Sequence, residues 1–314
     1  MKKGLFFIAA MVIGLAGCQS GEKVLLRMNL KKGDTYNYVS ETKQRITQIV
    51  DKKEMVIDQT VVNEFEYYVE DVDAASNITF RITFKKMSID MSMQGMSMKM
   101  SSDTNEVAAD EASQISSKML NAMTDVPFTV KLNYLGDIIE VKNLEALFDK
   151  MISSLASLSG DAEIVGKQMS QSINKMLGPD TIKEMMRQNF NAYPEKPMGV
   201  GDSWENSMEV KSGFPMSVKM KNTVTKLEPK TAGFLLDSTL KTSFGSNMID
   251  IGGFTASMDI VKGTQKGTYI IDLATGMAIS AEVDMDFDGL IKIGGENPQE
   301  IPMNVIGKTI MKLK

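Results

Sequence analysis

Apolar and polar residues alternate with a period of two along most of this chain, and this pattern decides which secondary structure it can form. Within residues 55–69, the apolar positions fall on one side of an extended backbone: Met55, Ile57, Val61, Phe65, Tyr67 and Val69. This pattern is typical of a β-strand with one buried face. Turn-forming stretches at 51–54 and 73–77 separate the runs, so we expect long strands connected by hairpins in an antiparallel sheet.

A second period replaces the first between residues 143 and 191. Apolar residues from Leu144 to Leu158 recur at the spacing of an amphipathic helix, with Asn143 as the candidate N-cap. Two more helices are expected at 161–177 and 179–190, separated by a Gly-Pro pair, and a weaker one at 106–123. Strand patterning returns after residue 200 and continues to the C terminus.

Together these patterns predict a fold of the α+β class that is mostly β. We expect a long, curved, half-barrel-like antiparallel sheet with an α-helical segment at about 143–191 packed on it. Residues 18–314 are predicted to form a single β-rich domain with this helical insertion. An alternative organisation has two strand-rich halves, 24–141 and 200–314.

The N terminus has the features of a secretory leader. Lys2 and Lys3 precede an apolar run that is too short to span a bilayer as a helix. The run ends in Leu15-Ala16-Gly17-Cys18, which resembles the lipobox of bacterial lipoproteins. This resemblance implies that residues 1–17 are a lipoprotein signal peptide and that Cys18 is acylated and tethers the chain to a membrane. Because no Asp follows Cys18, we expect an outer-membrane lipoprotein of the cell envelope that faces the periplasm.

Composition removes several classes of function. The chain has no histidine, one cysteine and a net charge of −5. Imidazole-based catalysis and His-ligated zinc are therefore excluded, and the lack of a basic patch argues against nucleic acid as a partner. We expect no enzyme, no cofactor and no metal site, and protein partners are not identifiable.

One stretch, Asp284 to Gly289, imitates the first half of a calcium-binding EF-hand loop. The loop's twelfth position is Gly295 instead of Glu, and the flanking residues alternate as in a strand. We therefore expect a β-strand with one apolar and one acidic face at this place.

Residues 87–100 are unusually rich in methionine, with the sequence MSIDMSMQGMSMKM. A two-residue turn at Gln94-Gly95 would pair Met93 with Met96 and Met91 with Met98. It would also pair Ile89 with Met100 and place all of these side chains on one face. Copper(I) binding through thioethers is the alternative, but His and free Cys, the usual companion ligands, are absent.

Two interpretations of this methionine-rich face remain. Methionine is flexible and suits surfaces that accept varied apolar partners, but it also fills closed cores. If a pocket exists between sheet and helices, the candidate residues lining it are Met91, Met93, Met96, Met98, Met100, Phe148, Met151, Met169, Met185 and Met186.

The lipobox, the stretch from Leu26 to Tyr38, the stretch Pro197–Trp204 and the hairpin around Thr275-Gly276 together resemble an uncharacterised family of Bacteroidota-type lipoproteins, a domain of unknown function. A broader resemblance is to the lipoprotein-carrier half-barrel, which implies helices over a concave sheet. The leading hypothesis is a membrane-anchored, non-catalytic lipoprotein that binds a lipid or other apolar ligand between sheet and helices. The alternatives are a structural or interaction lipoprotein of the envelope with a closed core, and an enzyme using carboxylates or a Ser-Lys pair.

Overall fold

A computed structural model describes residues 22–106, 111–156, 192–210, 216–242, 249–251, 254–295 and 298–314. The strands are β1 (Thr35–Val50), β2 (Lys53–Val72), β3 (Ile78–Met93), β4 (Met96–Ser101), β5 (Phe128–Leu132), β6 (Ile138–Lys142), β7 (Ser203–Val210), β8 (Met216–Leu227), β9 (Thr231–Thr242), β10 (Ile249–Ile251), β11 (Phe254–Asp272), β12 (Ala278–Gly294) and β13 (Gln299–Leu313). The helices are α1 (Glu111–Met123) and α2 (Leu144–Ala156). The predicted mostly-β fold with a long antiparallel sheet is therefore confirmed.

All described strands belong to one 13-stranded antiparallel sheet that does not close on itself. The order is β6-β5-β3-β2-β1-β13-β12-β11-β9-β8-β7, with β4 paired to β3 and β10 to β11. β13 lies between β1 and β12, so that Tyr38 is opposite Leu313 on one side and Ser280 is opposite Lys312 on the other. The strand-rich stretches before and after the helical region are thus hydrogen-bonded into one surface.

The sheet has two chemically different faces. The face that carries Tyr38, Val69, Phe80 and Phe234 is called the inner face, and the opposite face is called the outer face. A single core cluster contains inner-face residues of β3, β5 and β6 together with others of β7, β8 and β9. Because strands near both edges of the sheet share this cluster, the sheet curves around its inner face.

One end of the curved sheet is filled by chain segments that are not strands. Leu26, Met28 and Leu30 are buried in the core cluster. Val24 pairs with Met198 through two backbone hydrogen bonds of 2.9 and 2.8 Å. We call residues 22–34 and 192–201 the plug. The apolar alternation from Val24 to Leu30 predicts a strand, and this prediction is wrong: apart from the Val24 bridge the segment forms no strand, and its residues alternate between buried and exposed.

The residue at the centre of the plug is Tyr193. Its backbone N–H donates to the Leu135 carbonyl at the β5–β6 turn, at 2.7 Å. Its hydroxyl donates to the Gly276 carbonyl at the β11–β12 turn, also at 2.7 Å. The plug therefore joins turns from distant strands and fixes the curvature at this end.

The helices lie toward the β4–β5 side of the sheet. α1 packs against β4 and α2, and α2 also contacts β5. Leu144, Leu147 and Phe148 bury the apolar stripe predicted from the helical spacing. The rest of the predicted helical segment, 157–191, lies outside the described residues.

The methionine-rich hairpin forms with the predicted register. Met93 is opposite Met96, Met91 opposite Met98, and Ile89 opposite Met100. Gln94 and Gly95 have φ values of +49° and +83°, the pair of positive angles that a two-residue type I′ turn requires.

A glycine on the inner face marks a close approach between neighbouring strands. A Cβ atom at Gly267 in β11 would lie 2.3 Å from the Glu282 carbonyl oxygen and 2.8 Å from the Val283 Cα of β12. Only glycine fits there without moving backbone, and this is consistent with a strongly curved β11–β12 pair.

Candidate apolar binding site

The inner face is divided into two parts by an aromatic layer. The layer comprises Tyr38, Phe65, Tyr67, Phe84, Phe234 and Tyr269. Tyr38 and Tyr67 meet edge to face with ring centroids 5.5 Å apart, and Phe234 stacks on Tyr269 at 4.7 Å. On the plug side of this layer, Val69, Phe80, Val130 and similar residues are fully buried.

Burial in this layer raises the pKa of its tyrosines. Burial raises the pKa of Tyr67 to about 12. Burial raises the pKa of Tyr38 and of Tyr269 well above the ordinary value. Their hydroxyls have partners: Tyr38 donates to the Ala278 carbonyl at 2.7 Å, and Tyr269 donates to Asn222 Oδ1 at 3.1 Å. These phenols stay neutral and hold the layer together.

Beyond this layer lies what we call the inner trough. It is the part of the inner face between the Thr42–Thr309 pair and the turns that join β1 to β2 and β3 to β4. Thr42 and Thr309 lie with their Oγ1 atoms 2.9 Å apart at its base. Several apolar residues of the trough are only half-buried, namely Ile46, Ile57, Met91, Met93, Met285, Phe287, Ile291 and Met303. The described part of the protein thus leaves this apolar surface partly open.

The strand methionines share the inner face. Strand register puts every methionine of a described strand on this side: Met55, Met87, Met91, Met93, Met96, Met98, Met100, Met208, Met216, Met220, Met258, Met285, Met303 and Met311. Methionine side chains adapt their shape to varied apolar partners. Their segregation means that adaptable apolar side chains occur along the inner face from β4 to β7.

Charged side chains of the strands lie almost entirely on the outer face. Among inward-facing residues of β1, β2, β3, β4, β7, β8, β9, β11, β12 and β13 in the described chain, only Lys53, beside the β1–β2 turn, carries a charge. The outer face carries many ion pairs, such as Arg45–Asp58 at 2.7 Å and Lys262–Asp286 at 3.0 Å. The hydrogen bond from Arg45 lowers the pKa of Asp58.

The acidic stretch that imitates an EF-hand belongs to this outer face. Asp284, Asp286 and Asp288 lie in β12, opposite Lys308, Ile306 and Asn304 of β13. The predicted strand with one apolar and one acidic face is confirmed. In the described ranges, no group of three or more His, Cys, Asp or Glu side chains could hold a metal ion.

The outer face also has a shallow hollow of about 660 Å³. Its lining includes Lys43, Arg45 and Lys308 as well as Asp58 and Asp90. These opposite charges are interspersed, as on an ordinary solvated sheet surface. The hollow therefore offers no single sign of charge to a ligand.

The structure places the predicted lining residues in three groups. Met91, Met93 and Met98 are half-buried on the inner trough, and Met96 is 64% exposed at the turn. Met100 and Phe148 are 8% and 7% exposed and belong to packed regions rather than to an open surface. The side chains of Met151, Met169, Met185 and Met186, and the whole of Cys18, lie outside what the structure describes.

Sequence reasoning missed the polar residues of the trough. Gln44 and Gln59 face inward and are joined by a hydrogen bond of 2.5 Å from Gln44 Nε2 to Gln59 Oε1. Gln265 and Ser238 are opposite each other on β11 and β9. The signal that could have found them is their spacing: Gln44 lies two residues from both Thr42 and Ile46, on the same side of the strand.

Comparison with known families decides the classification of the chain. The sequence profile of a family of unknown function, DUF6263, matches residues 75–278, about two thirds of the chain. The chain belongs to the DUF6263 family. No curated protein sequence matches it.

Solved structures similar to this DUF6263 member share little sequence with it. A lipovitellin structure, described by its lipid–protein interactions, is 6% identical with a TM-score of 0.45; the match covers 91% of this chain and 25% of that one. The chain therefore spans about a quarter of the length of that protein. The COG4313 outer membrane channel from Pseudomonas putida F1 is 7% identical with a TM-score of 0.24; the match covers 91% of this chain and 97% of that one. Salmonella typhi OmpF in complex with daunomycin is 8% identical with a TM-score of 0.24, covering 91% and 99%.

These likenesses are too low in identity and TM-score to transfer any function. Within the described residues, no helix is both long and apolar enough to cross a membrane.

Proposed function

We propose that this chain is a membrane-anchored lipoprotein of the cell envelope, without catalytic activity, whose inner trough binds a lipid acyl chain or another apolar ligand. The observation that carries the proposal is the chemistry of the trough. It combines half-buried apolar side chains, the segregation of strand methionines and the near absence of inward charge. Partly exposed apolar surface of this kind is costly in water unless something covers it.

The contrast between the two parts of the inner face supports a binding role. Phe80 and Val130, on the plug side, are 0% exposed, whereas Met91 and Phe287 in the trough are half-buried on the same face. A protein that needed only a packed core would gain stability by closing both parts equally.

A second candidate is a structural or interaction lipoprotein with a closed core. It is favoured by a small cluster at the β7–β9 end of the same face, where Met208, Val218 and Leu240 are 3%, 1% and 8% exposed. If the whole trough were closed in this way, the protein would bind partners through other surfaces and not a ligand.

Photo-crosslinking distinguishes these two functions. The purified full-length protein is incubated with a long-chain alcohol carrying a diazirine in its alkyl chain, irradiated and digested, and the labelled peptides are mapped. We expect labels on peptides of β3, β4 and β12. No labelling of inner-face residues, together with recovery of only bare polypeptide by native mass spectrometry, would reject the ligand-binding function.

A matched pair of variants controls for the site. Met91→Asp places a charge in the trough, and Ser92→Asp places the same charge on the outer face of the same strand. Because an unpaired carboxylate disfavours an apolar neighbour, Met91→Asp is expected to lower labelling about tenfold or more, and Ser92→Asp to leave it unchanged. Met91→Leu should retain labelling if the site needs only apolar volume.

Membrane anchoring is tested separately. Cells that express the chain are fed an alkyne-tagged fatty acid, and the protein is isolated and analysed by mass spectrometry. We expect the tag on the peptide that begins at Cys18 and its loss in Cys18→Ser. An untagged peptide retaining residues 1–17 would refute the lipoprotein assignment, and fractionation of the same cells tests the outer-membrane, periplasm-facing location.

A further inference from the structure

One row of side chains on the inner trough is chemically mixed, and it crosses the sheet from β7 to β4. In order, the row is Asn206, Met220, Ser238, Gln265, Met285, Gly307, Gln44, Gln59, Met91 and Met98. We call it the amide–methionine row. It interleaves uncharged hydrogen-bonding groups with methionines, and it lies between the aromatic layer and the open end.

Ser238 in this row is buried without a hydrogen-bond partner. Its side chain is 1% exposed, and its Oγ atom has no hydrogen-bond partner among the described residues. An unpaired buried hydroxyl is unfavourable, and such groups need an explanation. Its neighbour across the β9–β11 ladder is Gln265, whose side chain carries both a donor and an acceptor.

On the other side of Gly307, the row continues with a second polar pair. Gln44 and Gln59 hydrogen-bond to each other, which leaves the Gln44 carbonyl oxygen and the Gln59 amide group able to bind a further molecule. Gly307 separates the two polar groups and has no side chain; a Cβ there would meet Gln44 Cβ at 3.2 Å and the Met285 methyl at 3.6 Å. Gly307 therefore lets Gln44 and Met285 pack closely over the backbone of β13, so that the two polar groups flank a narrow position in the row.

The near absence of inward charge in the described strands, where Lys53 at the β1–β2 turn is the one exception, limits what a ligand's polar group can be. No Lys or Arg faces the trough near this row, and the cationic side chains of β1 and β13, such as Lys43 and Lys308, lie on the outer face. An ionised carboxylate or phosphate placed beside the row would lose water without gaining a counter-ion, which is strongly unfavourable. Amides and hydroxyls instead match carbonyl and hydroxyl groups of a neutral ligand.

The trough also has the length that an extended acyl chain needs. From Gln44, the inner face continues through Ile46 and Gln48 to Val50. At the rise of an antiparallel strand this distance is about 20 Å. Met93, Phe287 and Val305 line the same stretch on neighbouring strands.

We propose that the ligand is a neutral acyl ester, such as a monoacylglycerol or diacylglycerol. Its ester and hydroxyl groups hydrogen-bond to the amide–methionine row, and its acyl chain lies along the trough toward the open end. The proposal rests on the function proposed above and specifies the class of lipid. It assigns Gln44, Gln59, Gln265 and Ser238 as the residues that select an uncharged polar group over an acidic one.

The test compares two probes with the same alkyl chain and diazirine, one a monoacylglycerol and the other a free fatty acid, on the full-length protein at neutral pH. We expect the monoacylglycerol to label trough peptides at about tenfold lower concentration. In Gln44→Leu/Gln59→Leu, the trough stays apolar and the preference should fall below about threefold while labelling itself persists.

A variant that adds a positive charge to the row tests the preference for the ester over the fatty acid in the opposite direction. Gln59→Arg places a cation in the row and should reverse the preference in favour of the fatty acid. Thr60→Arg places the same cation on the outer face of the same strand and should leave the ester preference unchanged. Thermal unfolding and circular dichroism verify that each variant is folded.

The outcomes separate the two proposals. If neither probe labels inner-face residues, the ligand-binding function itself fails. If both probes label the trough equally, or if the fatty acid is preferred by the unaltered protein, ligand binding stands and the assignment of a neutral ester is overturned.

Discussion

The close approach at Gly267 gives a stability prediction whose size follows from the structure. In Gly267→Ala, the new methyl group would lie 2.3 Å from the Glu282 carbonyl oxygen, 2.8 Å from Val283 Cα and 2.9 Å from Val283 Cγ2. Two of these three atoms are backbone, so no change of rotamer relieves them. Strand β11 must move away from β12 by roughly an ångström, a distortion typical of overpacked sites that cost about 1–3 kcal/mol. We expect a loss at the upper end of this range, about 2–3 kcal/mol.

A second strand glycine provides the matched control. In Gly233→Ala of β9, the new methyl would meet its nearest neighbour, Thr225 Oγ1, at 3.4 Å, an ordinary contact. Here the lower backbone entropy of the unfolded chain should make the change neutral or stabilising by about 0.5 kcal/mol.

Urea unfolding followed by far-ultraviolet circular dichroism measures both variants. Equal free energies of unfolding for Gly267→Ala and the unaltered protein would refute the reasoning, because they would mean that β11 and β12 do not approach as described. A large loss in Gly233→Ala would refute it differently, since any strand glycine would then be sensitive regardless of its surroundings.

Three further predictions concern the core, the surface and the aromatic layer. Phe80→Ala should lower the free energy of unfolding by about 3–5 kcal/mol in urea titrations, because Phe80 is 0% exposed, whereas Ile306→Ala, 58% exposed on the outer face, should change it by about 0.5 kcal/mol or less. A hydrogen bond from Lys131, with others from Asn77, depresses the pKa of Asp73, so its contribution to stability is present above the unfolded pKa and is lost as pH falls. The stability difference between the unaltered protein and Asp73→Asn should therefore shrink on acidification below about pH 4, and a difference that stays constant to lower pH would contradict the assignment. Burial raises the pKa of Tyr67 to about 12, so its contribution is complete below the unfolded pKa near 10 and is lost as pH rises through about 12. Between about pH 10 and pH 12, Tyr67→Phe should lose less stability than the unaltered protein. The phenolate absorbance of the unaltered protein should show no ionisation of Tyr67 below this interval.

Much of the sheet could be predicted from local pattern. The face shared by Ile57, Val61 and Phe65 and the register around Gln94-Gly95 both follow from alternation and turn chemistry, which depend on residues close in sequence. The pairing of β1 with β13 could not be predicted in this way, because it joins Tyr38 to Leu313 and no local signal records so distant a partner.

The limits of sequence reasoning at the candidate site have a similar cause. The methionines were visible because they are clustered along the chain. Gln44, Gln265 and Ser238 are scattered in sequence, and each alone looks like an ordinary surface residue. Only the register of the sheet brings them into one row. The segment Val24–Leu30 alternates between buried and exposed residues as a strand does, but it packs into the core without pairing along its length, so alternation alone predicts the wrong element there.

The central position of β13 has a consequence for how the molecule is made. Its partners are β1, near the beginning of the described chain, and β12, directly before it. Until residues 299–313 have emerged from the ribosome, β1 lacks one neighbour, and no strand-to-strand hydrogen bonds join the two halves of the sheet. Such long-range closure is slow compared with hairpin formation. The nascent polypeptide should therefore remain incompletely folded until β13 pairs with β1 and β12.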